Sequence, residues 1–375
     1  MHIARVVHIF KGDGMGDPFN TFELSLRQSK FNNHITLFTW NKEKRCSYEI
    51  VNNNFEIYRL KGLNLAQPFF IKYPFLPQLG SIIKRENPEL IHAHSHLFLT
   101  TYAAIKTAKK LGIPSVVTVH GVSAERNNAV NLLQKLYLKS MSTKIFQSNT
   151  ITVCLNKNDA KQILSFGCPV NKIRLVRNPV DVDMFKPCPK KEQDNLVVWI
   201  GRFVHEKGLE YLIDAAKLVQ SHINDVSFVL VGDGPLKHKL EYLIKNRELS
   251  NNVSLIGPLE HEEIAGVLAK ASIFAFPSLK EGMPKAVLEA MATGKAVVAS
   301  DISGMDEIID NGFNGVLVRP RNASTLGDTI TALLNDKKLR NRLGRNARQT
   351  ILKYFTWEKH LDLLRNVYED AVKSV

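Results

Sequence analysis

Short apolar segments alternate with longer amphipathic segments along almost the whole chain, and the pattern runs through twice. Short runs rich in Val, Ile and Phe are typical of buried β-strands, whereas longer amphipathic stretches are typical of helices. In the first half, strands are predicted at 3–10, 34–40, 55–60, 90–93, 115–119 and 150–155. Helices are predicted between them at 18–31, 77–86, 97–111, 129–146 and 158–166.

The same alternation begins again in the second half. Strands are predicted there at 196–200, 227–231, 253–256, 273–276, 296–299 and 315–318. Helices are predicted at 209–221, 236–248, 261–271, 284–292, 323–334, 337–354 and 357–372. Strands that alternate with helices favour parallel sheets with helices on both faces. The sequence therefore predicts an α/β protein of two Rossmann-like, doubly wound parallel-sheet domains.

The joint between the domains is expected where prolines interrupt the periodicity. Pro179, Pro187 and Pro189 lie close together there, and proline breaks regular structure. We expect a first domain at 1–180 and a second at 190–356.

Composition narrows the class of protein. A chain of 375 residues with 44% hydrophobic and 23% charged residues is typical of a globular protein of two domains. No apolar run approaches the ~20 residues that span a bilayer, and the strand-like first ten residues lack the features of a secretory leader. Four scattered cysteines favour reduced thiols in a cytosolic protein.

The net charge of +14 is unevenly distributed. Residues 1–180 hold 24 Lys and Arg against 10 Asp and Glu, whereas residues 181–375 hold 26 of each class. Stretches 57–85 and 126–158 contain no acid, and aromatic residues accompany the first of them. Basic and aromatic side chains together suit an anionic membrane surface, and a solvated basic face is the alternative. The sequence contains no recognisable nucleic-acid-binding module.

Two glutamates flank a Gly/Pro turn after the predicted strand 273–276. Glu281 lies in the turn with Gly282, Met283 and Pro284, and Glu289 lies more than one turn into the helix that follows. Carboxylates so placed can bind hydroxyls at the two ends of an elongated polyol, while free backbone N–H groups face the atoms between them. A nucleotide sugar has this layout. For an isolated pair, two surface glutamates beside an ordinary turn are the alternative.

Two cations follow the predicted strand 196–200. Gly201 turns the chain, and Arg202 and Lys207 precede the next helix. Two cations beside a helix N-terminus form a diphosphate site that needs no metal. Two solvated basic residues in a loop are the alternative.

Glycines end the next two strands as well. Gly232 and Gly234 precede Pro235, and Gly257 follows strand 253–256. Glycine permits close backbone approach to a ligand, and open parallel sheets bind ligands at the carboxyl ends of their strands. We expect these turns to lie beside the ligand, with Gly257 near the base of a nucleotide.

The first domain offers a glycine-rich loop and two histidine motifs. The loop at 12–16, with Gly14 and Gly16, lacks the dinucleotide-binding fingerprint. Alternating histidines at 92–96 suggest a metal, but no complementary ligands follow, so we expect none. His120 ends strand 115–119, and Gly121 leaves space beside it.

Together these motifs resemble the retaining GT-B glycosyltransferases of family 4 (glycosyl transferases group 1), over nearly the whole chain. The resemblance rests on the Glu-x7-Glu run, the Arg202/Lys207 turn, the Gly-x-Gly-Pro turn and Asn178-Pro179-Val180-Asp181. It implies two domains facing a central cleft, with residues 357–375 packed back on the first domain. The loop at 12–16 departs from the paired glycines of the family.

The resemblance also implies roles for the candidate residues. Arg202 and Lys207 would bind the donor diphosphate and stabilise the leaving group, while Glu289 would hold the ribose and Glu281 the sugar hydroxyls. His120 would lie against the donor sugar, and the glycine-rich first loop would face the donor and the acceptor after domain closure.

The implied reaction transfers a hexose-like sugar from a UDP- or GDP-sugar to an acceptor hydroxyl, with retention and without a metal or another cofactor. A lipid-linked or cell-surface glycan precursor is the expected acceptor. The enzyme is expected in the cytoplasm, at the cytoplasmic membrane face. The alternatives are another enzyme on this scaffold, such as a UDP-sugar epimerase or a sugar phosphorylase, and a non-catalytic nucleotide-sugar binder.

Overall fold

The computed structural model describes residues 1–8, 17–41, 45–64, 74–121, 138–188 and 192–375. The chain divides into two compact units, one of Met1–Arg177 with Leu361–Val375 and one of Asn178–His360. The chain passes from the second unit back to the first within the helix Trp357–Lys373.

The first unit is built on a large, mostly parallel sheet. Its strands are β1 (His2–Val6), β2 (His34–Asn41), β3 (Ser47–Asn52), β4 (Phe55–Lys61), β7 (Leu90–His94), β8 (Ser115–Val119), β9 (Ile151–Cys154) and β10 (Ile173–Leu175). β5 (Leu63–Asn64) and β6 (Pro74–Phe75) form a separate antiparallel pair. The order is β10-β9-β8-β7-β1-β2-β4-β3, so the winding direction reverses between β1 and β7.

Helices cover this sheet and bury an apolar core. They are α1 (Asp17–Ser29), α2 (Leu79–Glu86), α3 (Leu99–Leu111), α4 (Thr143–Ser148), α5 (Lys157–Ser165) and, from the C-terminal end of the chain, α12 (Trp357–Lys373). Phe38, Ile83, Ile105 and Phe146 lie in one core cluster and are almost fully buried. Burying a side chain of this size contributes about 1.5–3 kcal/mol.

One edge of this sheet differs from the all-parallel prediction. β3 pairs with β4 in antiparallel orientation, and the sequence analysis predicted no strand at 47–52. β3 is short and has no buried side chain, and although Tyr48 and Ile50 alternate along it, it lacks the continuous apolar run that marks the core strands. Asparagines at 52–54 form the tight turn between β3 and β4, in which Asn54 N–H donates to the Asn52 side chain at 2.9 Å. The predicted helix 129–146 lies partly outside the described residues, and the described part ends at Ser148.

The second unit contains a six-stranded parallel sheet. Its strands are β11 (Leu196–Ile200), β12 (Ser227–Val231), β13 (Val253–Ile256), β14 (Ile273–Phe276), β15 (Ala296–Ser300) and β16 (Val316–Val318). The order is β13-β12-β11-β14-β15-β16. Its helices are α6 (Leu209–Gln220), α7 (Lys237–Asn246), α8 (His261–Lys270), α9 (Lys285–Ala292), α10 (Ala323–Asn335) and α11 (Lys337–Tyr354). The predicted architecture of two doubly wound parallel-sheet units is confirmed.

Helices α9 and α11 pack against each other so closely that a glycine is required. A Cβ on Gly344 would lie 2.0 Å from the carbonyl oxygen of Gly294, which follows α9. Gly294 itself has a φ of 70°, a backbone conformation that residues with a Cβ rarely adopt. The two glycines therefore set the distance between α9, which follows the Gly/Pro turn, and α11.

We expect Gly344→Ala to lower the free energy of unfolding of the second unit by about 1–3 kcal/mol, because the added methyl overpacks the helix contact. Gly266→Ala in α8 is the matched control, since a Cβ there meets nothing within 4 Å. That control should stabilise by about 0.5–1 kcal/mol through helix propensity alone. Urea unfolding followed by tryptophan fluorescence measures both, and a stabilised Gly344→Ala variant would contradict the packing argument.

Candidate active site

The site begins with the strand order of the second sheet. β11 pairs with β12 on one side and with β14 on the other, so the chain reverses its winding direction at β11. Loops that leave neighbouring strands at such a reversal diverge and open a crevice at the carboxyl edge of the sheet. The sequence-predicted residues of this unit lie on the loops beyond β11, β12, β13 and β14 and in α9. They are Gly201, Arg202, Lys207, Gly232, Gly234, Gly257, Glu281, Gly282, Met283, Pro284 and Glu289.

Backbone contacts tie these loops together. A Cβ on Gly232 would lie 1.8 Å from the carbonyl oxygen of Gly201, and one on Gly208 would lie 2.2 Å from that of Pro277. Gly208 and Gly232 also have φ values of 63° and 142°. In addition, Leu279 N–H donates to the Glu206 carbonyl at 2.8 Å. The loops after β11 and β14 are therefore fixed to each other through the main chain.

Two further glycines in this region, Gly234 and Gly257, differ from each other. A Cβ on Gly234 would lie 2.5 Å from the Phe203 carbonyl oxygen, so this turn also depends on glycine. A Cβ on Gly257 would meet nothing within 4 Å. Packing therefore explains Gly234 but does not require glycine at 257.

Lys207 and Glu281 form an ion pair across the crevice. Nζ of Lys207 lies 2.5 Å from Oε1 of Glu281, and their side chains are 22% and 12% exposed. The ammonium group also lies 5.5 Å from the ring centroid of Phe276, the last residue of β14, within the range of a cation–π contact. Arg202 is exposed, and no described residue gives its side chain a partner. The crevice thus holds one paired and one exposed cation.

The turn before α9 leaves helix N–H groups for a ligand and is itself anchored. Pro284 precedes the first residue of α9 and has no side-chain acceptor to cap it, and uncapped N–H groups at a helix start suit anions. Asn178 holds the turn at Met283, since Nδ2 donates to the Met283 carbonyl at 3.2 Å and the Asn178 N–H donates to its Sδ at 3.2 Å.

Glu289 is a buried carboxyl group whose ionisation is opposed by its surroundings. Burial raises its pKa to about 7, and nearby Lys285 offsets only part of this effect. Nε2 of His261 lies 3.4 Å from Oε1 of Glu289, but burial lowers the pKa of His261, followed by repulsion from Lys285. Near neutral pH the two groups are therefore not a fully charged ion pair. Hydroxyls that donate to the carboxylate would favour its ionised form.

In the first unit, the structure places His120 directly after β8, where Nε2 lies 3.0 Å from Nδ1 of His94. Gly121 follows with a φ of 98°. Gly14 and Gly16 lie outside the described residues. Among the residues that are described, no group of three or more His, Cys, Asp or Glu side chains could hold a metal ion.

Phe276, His261 and Tyr368 were not predicted as site residues from the sequence, and Asn178 had no predicted role. Phe276 is the last residue of a predicted strand, and Asn178 belongs to a motif that the family shares. Each position therefore gave a weak indication of a role at the site. The contacts of His261 with Glu289 and of Tyr368 with His92 depend on how helices sit on the sheets, and no spacing in the sequence encodes them.

Comparison with known proteins decides the family. Residues 182–350 match the family model described as glycosyl transferases group 1, and residues 21–184 match that of glycosyltransferase family 4. An uncharacterized glycosyltransferase of Methanocaldococcus jannaschii is 32% identical over 344 residues, covering 90% of this chain and 89% of the relative. The chain belongs to the group 1 glycosyltransferases.

Two further comparisons support this glycosyltransferase assignment. The UDP-Gal:alpha-D-GlcNAc-diphosphoundecaprenol alpha-1,3-galactosyltransferase of Escherichia coli is 30% identical over 314 residues, which cover 79% of each chain. The solved sucrose-phosphate synthase of Thermosynechococcus elongatus superposes with a TM-score of 0.83 at 18% identity, covering all of both chains, and so shows the shared GT-B fold. Both curated relatives are named as transferases, so an epimerase or a non-catalytic binder is not favoured. No helix in the described part of this glycosyltransferase is long and apolar enough to cross a bilayer.

We expect Glu289→Gln to stabilise the ligand-free glycosyltransferase at alkaline pH. The folded-state pKa of about 7 lies above the ordinary 4.5. The neutral carboxyl group of Glu289 therefore makes its full contribution to the free energy of unfolding below pH 4.5, and this contribution is lost as the pH rises through 7. The glutamine is neutral at every pH, so the variant should exceed the wild type by up to about 3 kcal/mol at pH 8 and by less than about 1 kcal/mol at pH 5.

Urea unfolding at the two pH values measures this difference. Glu358→Gln, at an exposed position, is the control and should show little change at either pH. A Glu289→Gln variant whose stability follows the wild type at both pH values would show that Glu289 ionises without cost.

Proposed function

We propose that this glycosyltransferase moves a hexose-like sugar from a UDP- or GDP-sugar to an acceptor hydroxyl, with retention of configuration and without a metal ion. The observation that carries the proposal is the crevice at the strand reversal, where Lys207 and Glu281 from two different loops lie 2.5 Å apart. Cations and free N–H groups there suit a diphosphate. The two carboxyl groups suit hydroxyls on either side of it.

Arg202 and Lys207 act on the leaving group. As the bond between the sugar C1 and the diphosphate oxygen breaks, negative charge grows on that oxygen, and fixed cations offset it. Glu281 holds Lys207 in place in the ligand-free protein and accepts hydrogen bonds from sugar hydroxyls in the donor complex. The acceptor oxygen bonds to C1 on the face that the diphosphate leaves, and its proton passes to the departing phosphate.

Glu289 binds the ribose. As a carboxylate it only accepts hydrogen bonds, so it suits two neighbouring hydroxyl donors. The turns at Gly232, Gly234 and Gly257 bring the main chain near the nucleotide. In this proposal His120 lies against the donor sugar, as the resemblance to the family implies.

The acceptor proposal adds a lipid-linked substrate at the cytoplasmic membrane face. The name of the Escherichia coli relative describes a diphosphoundecaprenol-linked acceptor. In the first unit, Leu63 and Phe75 pair across β5 and β6 and are 62% and 40% exposed. Lys61 and Lys84 are also exposed. Exposed apolar and basic groups favour an anionic bilayer surface.

We expect Arg202→Ala and Lys207→Ala each to lower kcat about a hundredfold, because each removes a charge contact worth about 3 kcal/mol at the leaving group. A screen of UDP- and GDP-sugars with detection of released nucleoside diphosphate identifies the donor and measures the rates. Lys270→Ala, at an exposed position on α8, should match the wild type.

The same assay tests metal independence, because turnover should persist in EDTA. Near-wild-type kcat in either site variant would overturn the leaving-group assignment. Activity that EDTA abolishes and Mn²⁺ restores would overturn the metal-free mechanism.

We expect the protein to co-sediment with vesicles of anionic lipid at low salt and to be released at high salt. Each cation near such a surface contributes about 1 kcal/mol, so Lys61→Glu/Lys84→Glu should weaken binding markedly. Lys245→Glu, an exposed position in the second unit, should have a smaller effect. Absence of binding to anionic vesicles at low salt would favour an acceptor free in solution.

A further inference from the structure

One face of the first sheet carries a row of polar side chains beside the strand reversal. Arg5 on β1 pairs in register with His92 on β7, and His94 pairs with Thr118 on β8. Side chains on a strand alternate between faces, so His120, two residues after Thr118, continues the same row. Arg5, His92, His94 and Thr118 are all at least 94% buried. The proposed reaction gives no role to the His92–His94 pair.

Helices α1 and α12 supply the partners of the buried guanidinium. Arg5 donates to Ser25 Oγ at 2.7 Å and to Gln28 Oε1 at 2.5 Å, both on α1. It also donates to the hydroxyl of Tyr368 on α12 at 3.1 Å. Among the described residues no carboxylate forms an ion pair with it. Burial lowers the pKa of Arg5, but a guanidinium stays protonated in proteins and only donates hydrogen bonds.

This donor favours one direction for the next hydrogen bond. The Tyr368 oxygen accepts from Arg5, and the proton of its hydroxyl can then be donated to Nδ1 of His92, 2.7 Å away. In that arrangement His92 accepts at Nδ1 and carries its hydrogen on Nε2, which lies 2.8 Å from Oγ1 of Thr118. Arg5 and Tyr368 together thus favour the neutral tautomer of His92 that is protonated on Nε2.

The oriented His92 ring in turn supports the pair beyond it. The rings of His92 and His94 are in contact, with centroids 4.3 Å apart and planes tilted by 30°. On its other side, Nδ1 of His94 lies 3.0 Å from Nε2 of His120, and these rings are nearly parallel at 22°. A continuous set of contacts thus runs from α12 through two buried imidazoles to the candidate catalytic histidine.

We propose that His94 and Tyr368 are positioning residues for His120: His94 holds the His120 ring directly, and Tyr368, oriented by Arg5, holds it through His92. The inference rests on the proposed role of His120 at the donor sugar. Neither residue needs to touch substrate. A displacement of about 1 Å at a reacting group can lower the rate about a hundredfold, so a loosened His120 should reduce turnover and leave donor affinity unchanged.

Three variants distinguish an effect on the orientation of His120 from a loss of protein stability. His94→Leu removes the ring nitrogen at similar size, whereas His94→Asn keeps a polar atom close to the position of Nδ1. Tyr368→Phe removes one hydroxyl only, and Tyr354→Phe, at a 46% exposed position on α11, is its matched control. We expect His94→Leu and Tyr368→Phe to lower kcat about ten- to a hundredfold with donor KM within about twofold of wild type. His94→Asn should keep kcat within a few-fold of wild type, and Tyr354→Phe should match it.

Two outcomes would overturn the proposal: wild-type kcat in Tyr368→Phe, or equal impairment of His94→Asn and His94→Leu. Should His94→Leu fail to fold, Tyr368→Phe still decides. Failure of the proposed function looks different, because the wild type would then transfer no sugar or His120→Ala would keep full activity.

A measurement that needs no donor tests the same geometry. In protein labelled with ¹⁵N-histidine, long-range ¹H–¹⁵N spectra distinguish protonated from unprotonated ring nitrogens. We expect His92 to carry its hydrogen on Nε2, and Tyr368→Phe to shift the signals of His92, His94 and His120. A His92 ring protonated on Nδ1, or His120 signals that Tyr368→Phe leaves unchanged, would contradict the proposed chain of contacts.

Discussion

The reversal of strand order at β11 is the constraint on which the second unit depends. Because β12 and β14 occupy the two sides of β11, the loops that follow β11 and β14 separate above the sheet and leave main-chain groups facing outward. Gly208 and Gly232 then let neighbouring backbone approach to distances that a Cβ would block. This arrangement brings together Lys207 and Glu281, which are 74 residues apart in the sequence. The charges of the site are thus held by main-chain geometry more than by side-chain packing.

The polar groups of the site cost stability in the ligand-free protein. Glu289 is buried with its pKa raised to about 7, so ionising it in the folded state is unfavourable. Lys207 and Glu281 offset each other, and removing one leaves a largely desolvated charge without its partner. In the proposed donor complex, hydroxyls and a diphosphate would supply partners to all three groups. The ligand would thereby offset free energy that folding alone does not recover, and at Glu289 activity and stability should respond in opposite directions.

Much of the second unit could be predicted from the sequence, because its strands are buried on both faces and read as apolar runs between amphipathic helices. The proximity of Lys207 and Glu281 could also be predicted, since topology alone brings loops at a strand reversal together. β3 and β10 were missed because each is a short edge strand with no buried side chain, so neither has the continuous apolar run of the core strands. The contacts of His261 with Glu289, Asn178 with Met283 and Tyr368 with His92 were out of reach, because they depend on packing between segments far apart in the chain.

Both sheets reverse their winding direction, at β1/β7 in the first unit and at β11/β14 in the second, yet the chemistry beside the two reversals differs. In the second unit the cations and helix N–H groups only donate and therefore suit phosphate oxygens. The carboxylates of Glu281 and Glu289 only accept and therefore suit hydroxyls. Beside the first reversal the groups are imidazoles and hydroxyls, which both donate and accept and therefore suit other hydroxyls. A network of such groups could adopt several patterns of hydrogen bonds. Arg5 narrows that freedom at His92, because a buried guanidinium can only donate and so favours one direction for the bonds beyond it. Although no carboxylate among the described residues pairs with it, this buried cation thus helps to orient the histidine row.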